Sequence, residues 1–297
     1  MNKMIGKSSF ESRIFGEKMR RQFADCYPEQ PKRFDHELVS HDLLTLDALA
    51  KLGTSLPTES VEYNPGNLPV GISPEDVPSN GMSIADTILM IENSNSWAVL
   101  KNIEQLSEYE ALLLSLLEEI RPMLESKTGK MLRPQGFIFV SSPGAMTPYH
   151  FDPEHNILLQ LRGEKHMTVF PAGDERFAPA EVHEGYHLGG HRNLVWKDEF
   201  LKAGTKHHLT PGKAIFVPVM APHFVENGPQ PSISLSITWR SDWSFAEADA
   251  HAFNGWLRKR GFAPNPPGRF PQQNRAKAVA WRVLRKVGRG SESTKYA

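Results

Sequence analysis

The sequence predicts a mainly β protein, a double-sheet jelly roll with helical additions at both ends. Two observations carry the β core. Between residues 134 and 243, short apolar runs recur between turn residues, as they do in two-sheet β architectures. Residues 232 to 240 alternate, with Ser232, Ser234, Ser236, Thr238 and Arg240 on one face and Ile233, Leu235, Ile237 and Trp239 on the other. Such a strand meets a core on one side and something polar on the other. A third observation places helices outside this region, where the apolar period lengthens.

In chain order, residues 1 to 40 are polar and lack a sustained period, which predicts an irregular arm. Leucines at 43, 44, 46, 49 and 52 form one stripe of a helix that Gly53 would end. Residues 64 to 80, rich in Pro, Gly and Asn, read as loop. Residues 96 to 101 read as a strand, and 106 to 120 as a helix turning Leu113, Leu114, Leu116 and Leu117 to the core, with Pro122 just beyond it. Strands follow at 136 to 140, 155 to 161, 166 to 170, 213 to 217 and 232 to 240, and helices at 246 to 260 and 275 to 286. The chain therefore divides into an N-terminal cover over 1 to 133, a β core over 134 to 243 and a helical extension over 244 to 297.

Composition narrows the function. With 39% hydrophobic and 23% charged residues, the chain reads as globular, and no apolar run approaches the roughly 18 residues of a membrane span. The first residues lack the pattern of a secretory signal, and the one cysteine, Cys26, leaves no intramolecular disulfide or zinc knuckle, so a reducing cytoplasm is expected. Net charge is zero, but residues 251 to 297 hold eleven Lys or Arg against the single acid Glu292. That basic tail docks on the acidic body, or solvates a helix, or meets nucleic acid, and no helix-turn-helix signature accompanies it.

The chemistry concentrates in Thr147-Pro-Tyr-His150-Phe-Asp152 and Ala221-Pro-His223. His150 and Asp152 are two apart, so on extended chain they share a face, and a distant histidine would complete two imidazoles and a carboxylate. That donor set suits ferrous iron with open coordination positions. The alternative is a structural His–Asp pair and a core histidine at 223. Lys165 opens a strand with apolar neighbours, where a buried ammonium would call for an anion such as a dicarboxylate, although a surface hairpin lysine fits as well. Thr147 and Thr238 could bond the same carboxylate. His155 is expected to turn away, and His207-His208 to lie on the surface. His183, His187 and His191 recur every four residues, but Gly185, Gly189 and Gly190 favour a flexible loop over a helix carrying a second metal site.

Residues 147 to 171, TPYHFDPEHNILLQLRGEKHMTVFP, resemble the jumonji-C branch of the cupin superfamily, above all its asparaginyl hydroxylase type and bacterial cupin-like proteins. Thr147, Asn156 and Lys165 match the family pattern around the first ligand without a gap. The resemblance implies a double-stranded β-helix and an iron(II)- and 2-oxoglutarate-dependent oxygenase. It implies metal ligands His150, Asp152 and His223, with Lys165 and Thr147 on the distal carboxylate of 2-oxoglutarate. At position 238 the family usually has Asn where this chain has Thr, which keeps Arg240 open as an alternative anchor. A hydroxylase acting on a protein side chain or a small molecule is the leading expectation. Another metal-dependent cupin enzyme, an isomerase or dioxygenase, and a non-catalytic cupin module are the alternatives. Residues 64 to 95 and 171 to 212 are expected to shape the substrate site, and 246 to 288 to build a homodimer.

Overall fold

A computed structural model describes residues 13–65 and 80–287. Among these described residues eleven strands form two sheets. The larger takes β1 (Lys32–Asp35), β9 (Lys213–Val217), β6 (His155–Arg162), β11 (Ser232–Ser241), β4 (Met131–Ser141), β3 (Ser96–Lys101) and β2 (Val61–Pro65), in that order. The smaller takes β5 (Met146–His150), β10 (His223–Asn227), β7 (Lys165–Val169) and β8 (Thr205–Leu209). Every strand pairing is antiparallel, and the two sheets make the expected jelly roll.

β11 organises the interior. Ile233, Leu235, Ile237 and Trp239 enter one continuous core with Phe23, Leu49, Leu113, Leu116 and Ile138, beneath the helices α1 (Glu17–Cys26), α2 (Leu46–Ser55), α4 (Ser107–Glu118) and α5 (Arg121–Thr128). Each such aliphatic side chain, fully removed from water, contributes about 1.5–3 kcal/mol. The alternate residues Ser236 and Thr238 face the cleft between the sheets. The strand then runs directly into α7 (Asp242–Arg258), where Ser241 and Ser244 exchange hydrogen bonds that satisfy the helix's free first-turn donors.

Several expectations change. The supposed irregular arm contains α1 and β1, because Met19, Phe23 and Cys26 supply a buried face that a short window hides among charges. The leucine run starts with a 3₁₀ turn at Asp42–Leu44, and α2 passes through Gly53, where a Cβ would lie 2.8 Å from Ile84 of α3 (Ile84–Leu89). Gly53 permits close helix packing instead of ending the helix. In α4, Leu112 is buried in place of Leu114, which is exposed, since the helical period centres the buried face on 109, 112, 113 and 116 and leaves 114 well off it. His183 lies in α6 (Ala180–Tyr186) and His187 caps it, so this stretch is helical despite Gly185. Of the expected loop at 64 to 80, residues 66 to 79 lie outside the described residues. No described helix is long and apolar enough to cross a membrane.

β6 and β7 meet at Gly163, whose φ is +65° and whose missing Cβ would come 2.2 Å from the Pro231 carbonyl oxygen. Gly163→Ala is expected to lower stability by roughly 1–3 kcal/mol through strain and displacement of that turn, as measured by urea unfolding. An unchanged midpoint would show that the turn relaxes freely.

Candidate metal centre and its pocket

Strand register makes the candidate centre. In the β5–β10 pairing His150 stands directly opposite His223, so the two rings rise side by side with centroids 4.3 Å apart. Asp152 lies just past the end of β5, tied by its carbonyl to the Met220 N–H at 2.8 Å. Its Oδ2 is 3.5 Å from His223 Nε2 and 3.8 Å from His150 Nε2. Among the described residues these three alone bring a set of donor atoms within 4.8 Å of one another.

The two histidines are held alike. Each Nδ1–H donates to the carbonyl two residues earlier, His150 to Pro148 at 2.7 Å and His223 to Ala221 at 2.9 Å. This fixes the tautomer and leaves each Nε2 with a free lone pair beside the carboxylate. Burial pushes the His150 imidazole down to about 3, helped by His223, so it is a neutral donor at physiological pH. Burial alone would raise the Asp152 carboxyl, but Arg192 and the two imidazoles outweigh it and hold it near 2. Two imidazoles and one carboxylate fit a divalent transition metal.

The centre opens into a cavity of about 280 Å³ lined also by Thr147, Asn156, Lys165, Ser236 and Thr238. Lys165 is 3% exposed and donates to Ser234 Oγ at 2.7 Å. Among the described residues no carboxylate pairs with it, and burial lowers its ammonium to about 7. Asn156 accepts from Ser236 at 2.7 Å, and Thr238 donates to the Gln135 carbonyl at 3.1 Å. Arg240 goes elsewhere. Its guanidinium donates to Ser244 and stacks over Phe245, closing the first turn of α7 outside the cavity lining.

His155 turns away as expected, bonding Ser241 at 3.0 Å and stacking on Trp239. His183 and His187 gather around His251 of α7 with ring centroids 5.3 and 5.6 Å from it, without converging donor atoms as the triad does. Two cavity residues had no sequence signal. Arg192 comes from the loop before β8 to pair with Asp152. Glu154 lines the cavity, its carboxyl raised to about 7 by burial against the pull of Arg240.

No protein-family model and no curated protein matches the sequence. Solved structures do. The chain is similar to the ribosomal oxygenase YcfD from Escherichia coli in complex with cobalt and 2-oxoglutarate, with TM-score 0.50 and 15% identity over 93% of this chain and 69% of that one. A second structure of E. coli YcfD matches with TM-score 0.49 and 16% identity over 89% of this chain and 66% of that one. This chain therefore spans about two thirds of the length of these proteins. The first likeness carries the fold alone.

Replacing His150, Asp152 or His223 by Ala is expected to weaken divalent-metal binding, read with cobalt(II), by orders of magnitude, because no fourth donor converges on the three among the described residues. The melting temperature should stay within a few degrees, since the large core lies on the other sheet. Calorimetry under nitrogen checks this, and equal affinity in all four proteins would refute the assignment.

Proposed function

We propose that this chain is an iron(II)- and 2-oxoglutarate-dependent oxygenase that hydroxylates a protein side chain or a small molecule. One observation carries the reading. A single cavity joins two free imidazole lone pairs and a carboxylate to a buried lysine that has no anionic partner among the described residues. The first three suit the metal, and the fourth suits the far carboxylate of a dicarboxylic co-substrate. The YcfD structure of like fold was solved with cobalt and 2-oxoglutarate, and cobalt(II) takes the same kinds of donor as iron(II).

In this reading His150, Asp152 and His223 hold the metal. Bound iron supplies the oxygen chemistry that couples conversion of 2-oxoglutarate to succinate and carbon dioxide with hydroxylation of the substrate. The chain's own residues bind and orient. Lys165 anchors the distal carboxylate, with Thr147 and Asn156 lining the same cavity and Ser234 holding the ammonium in place. Thr238 is a weaker candidate for that contact, because its hydroxyl already donates to the Gln135 carbonyl. Leu158, Met167 and Val225 close the cavity with apolar surface that excludes water. The homodimer remains part of the proposal. Val279 and Val283, one turn apart on α8 (Arg275–Val287), are exposed and could meet their counterparts in a second copy.

Anaerobic addition of iron(II) and 2-oxoglutarate should produce a metal-to-ligand charge-transfer band. Its absence despite iron binding would favour another metal-dependent cupin enzyme. Lys165→Met should weaken 2-oxoglutarate by roughly one to two decades while iron affinity stays, as expected for loss of a charge-assisted contact of about 1.5–3 kcal/mol.

The lowered ammonium gives a sign to the pH dependence. Below about 7 the free protein already carries the charge on Lys165, and above it the lysine is neutral. A bound dianion restores the proton. Binding at pH 8 should therefore take up a proton, and affinity should fall as pH rises above about 7. Calorimetry in buffers of different ionisation enthalpy reads the uptake, and Lys165→Met should abolish it. A pH-independent affinity with no uptake would remove Lys165 from the anchor role.

A further inference from the structure

The loop between α6 and β8 reaches the candidate metal ligands twice. Its backbone runs beside the end of β5. The Leu194 N–H donates to the Tyr149 carbonyl at 2.9 Å, the Phe151 N–H donates to the Arg192 carbonyl at 3.4 Å, and Asn193 forms an antiparallel bridge with His150. Its one cation at this point, Arg192, then pairs through Nη1 with Oδ1 of Asp152. The other oxygen, Oδ2, is the one that faces both imidazoles. The carboxylate is thus divided, with one oxygen toward the guanidinium and one toward the metal position.

We infer that Arg192 is a positioning residue that restricts Asp152 to a single metal-facing oxygen. A free carboxylate has two acceptor oxygens and can offer both to one cation. Within the oxygenase reading on which this inference rests, two imidazoles and one oxygen leave positions for a chelating keto acid and for oxygen. A second oxygen from Asp152 would take one of them. The guanidinium prevents this by occupying Oδ1, and the backbone bonds at residues 192 and 194 hold it in register with the strand that carries His150. The side chain of Arg192 is 53% exposed and that of Asp152 15%, so the restraint acts from the cavity mouth upon a nearly buried ligand. The Arg192 side chain makes no hydrogen bond to either imidazole, and its direct contact with the ligand set is the one with Asp152.

The test is anaerobic titration of the full chain with cobalt(II), then of the cobalt-loaded chain with 2-oxoglutarate, for wild type, Arg192→Met and Arg192→Lys. Arg192→Met should bind cobalt(II) at least as tightly as wild type, since it loses a nearby positive charge and frees a second oxygen. Its visible cobalt bands should shift as a second carboxylate oxygen replaces a solvent ligand. Its affinity for 2-oxoglutarate should fall by about tenfold or more, because one of the positions the keto acid needs is taken, a loss of about 1.4 kcal/mol. Arg192→Lys keeps the charge without the planar fork and should lie between the two. Loss of cobalt affinity in Arg192→Met, alone or in parallel with 2-oxoglutarate, or no change in any of the three readings, overturns the inference. If the wild-type chain binds cobalt(II) but not 2-oxoglutarate, the oxygenase reading fails, and the cobalt bands of the variants alone decide how many oxygens Asp152 presents.

Discussion

Everything chemical in this molecule depends on one strand pairing. β5 and β10 lie side by side in the register that sets His150 against His223, and a slip of one residue would turn one imidazole to the opposite face of the sheet. The register is reinforced from both sides, because β7 pairs along β10 and sets Lys165 opposite Asn227 at the far end of the same face. The metal position and the lysine are therefore two ends of one small sheet, with Met167 and Val225 paired between them. Their separation is set by strand geometry, and the proposed dicarboxylic co-substrate would have to span it.

The large sheet serves a different purpose. Its inner strands carry the main core against the helices, while β11 and parts of β4, β6, β3 and β2 turn residues into the cleft. β11 reconciles the two demands by alternation, with aliphatic residues and Trp239 on the core side and Ser234, Ser236 and Thr238 on the cleft side. The small hydroxyl side chains leave volume for a ligand and give Lys165 a neutral acceptor. That acceptor satisfies one of the three N–H donors without neutralising the charge. A carboxylate in place of Ser234 would have quenched the very charge that an incoming anion needs.

What could be read in the sequence follows the range of the interactions. The strands β4, β6, β7, β9 and β11, the cleft-facing side of β11 and the His150–Asp152 pair were legible because alternation and short spacing are local signals, whereas β8 was not expected and His223 joins the pair only across the β5–β10 register. Lys165 was legible through the resemblance and through its apolar neighbours. Arg192 was not, because its role exists only once a loop forty residues beyond Asp152 folds back on β5. α1 was hidden since three buried residues among charges give no sustained period in a short helix. Gly53 misled because glycine ends helices when the chain needs a left-handed turn but also sits inside them where a neighbour approaches closely, and sequence alone does not separate the two uses. Gly185 lies inside α6 with open space where a Cβ would stand, so there the helix simply tolerates it.

The division of labour between the sheets also bears on how such a protein can change. Substitutions in the small sheet's cleft face or in the loop around Arg192 alter recognition while leaving the main hydrophobic core intact, so new specificities can be sampled at little cost to folding. β11 is the exception. Each of its ten residues is buried, and neighbouring positions answer to opposite requirements, packing on one side and ligand space on the other. Drift there is read twice, once as stability and once as chemistry, which makes this strand the segment where the sequence is least free to wander.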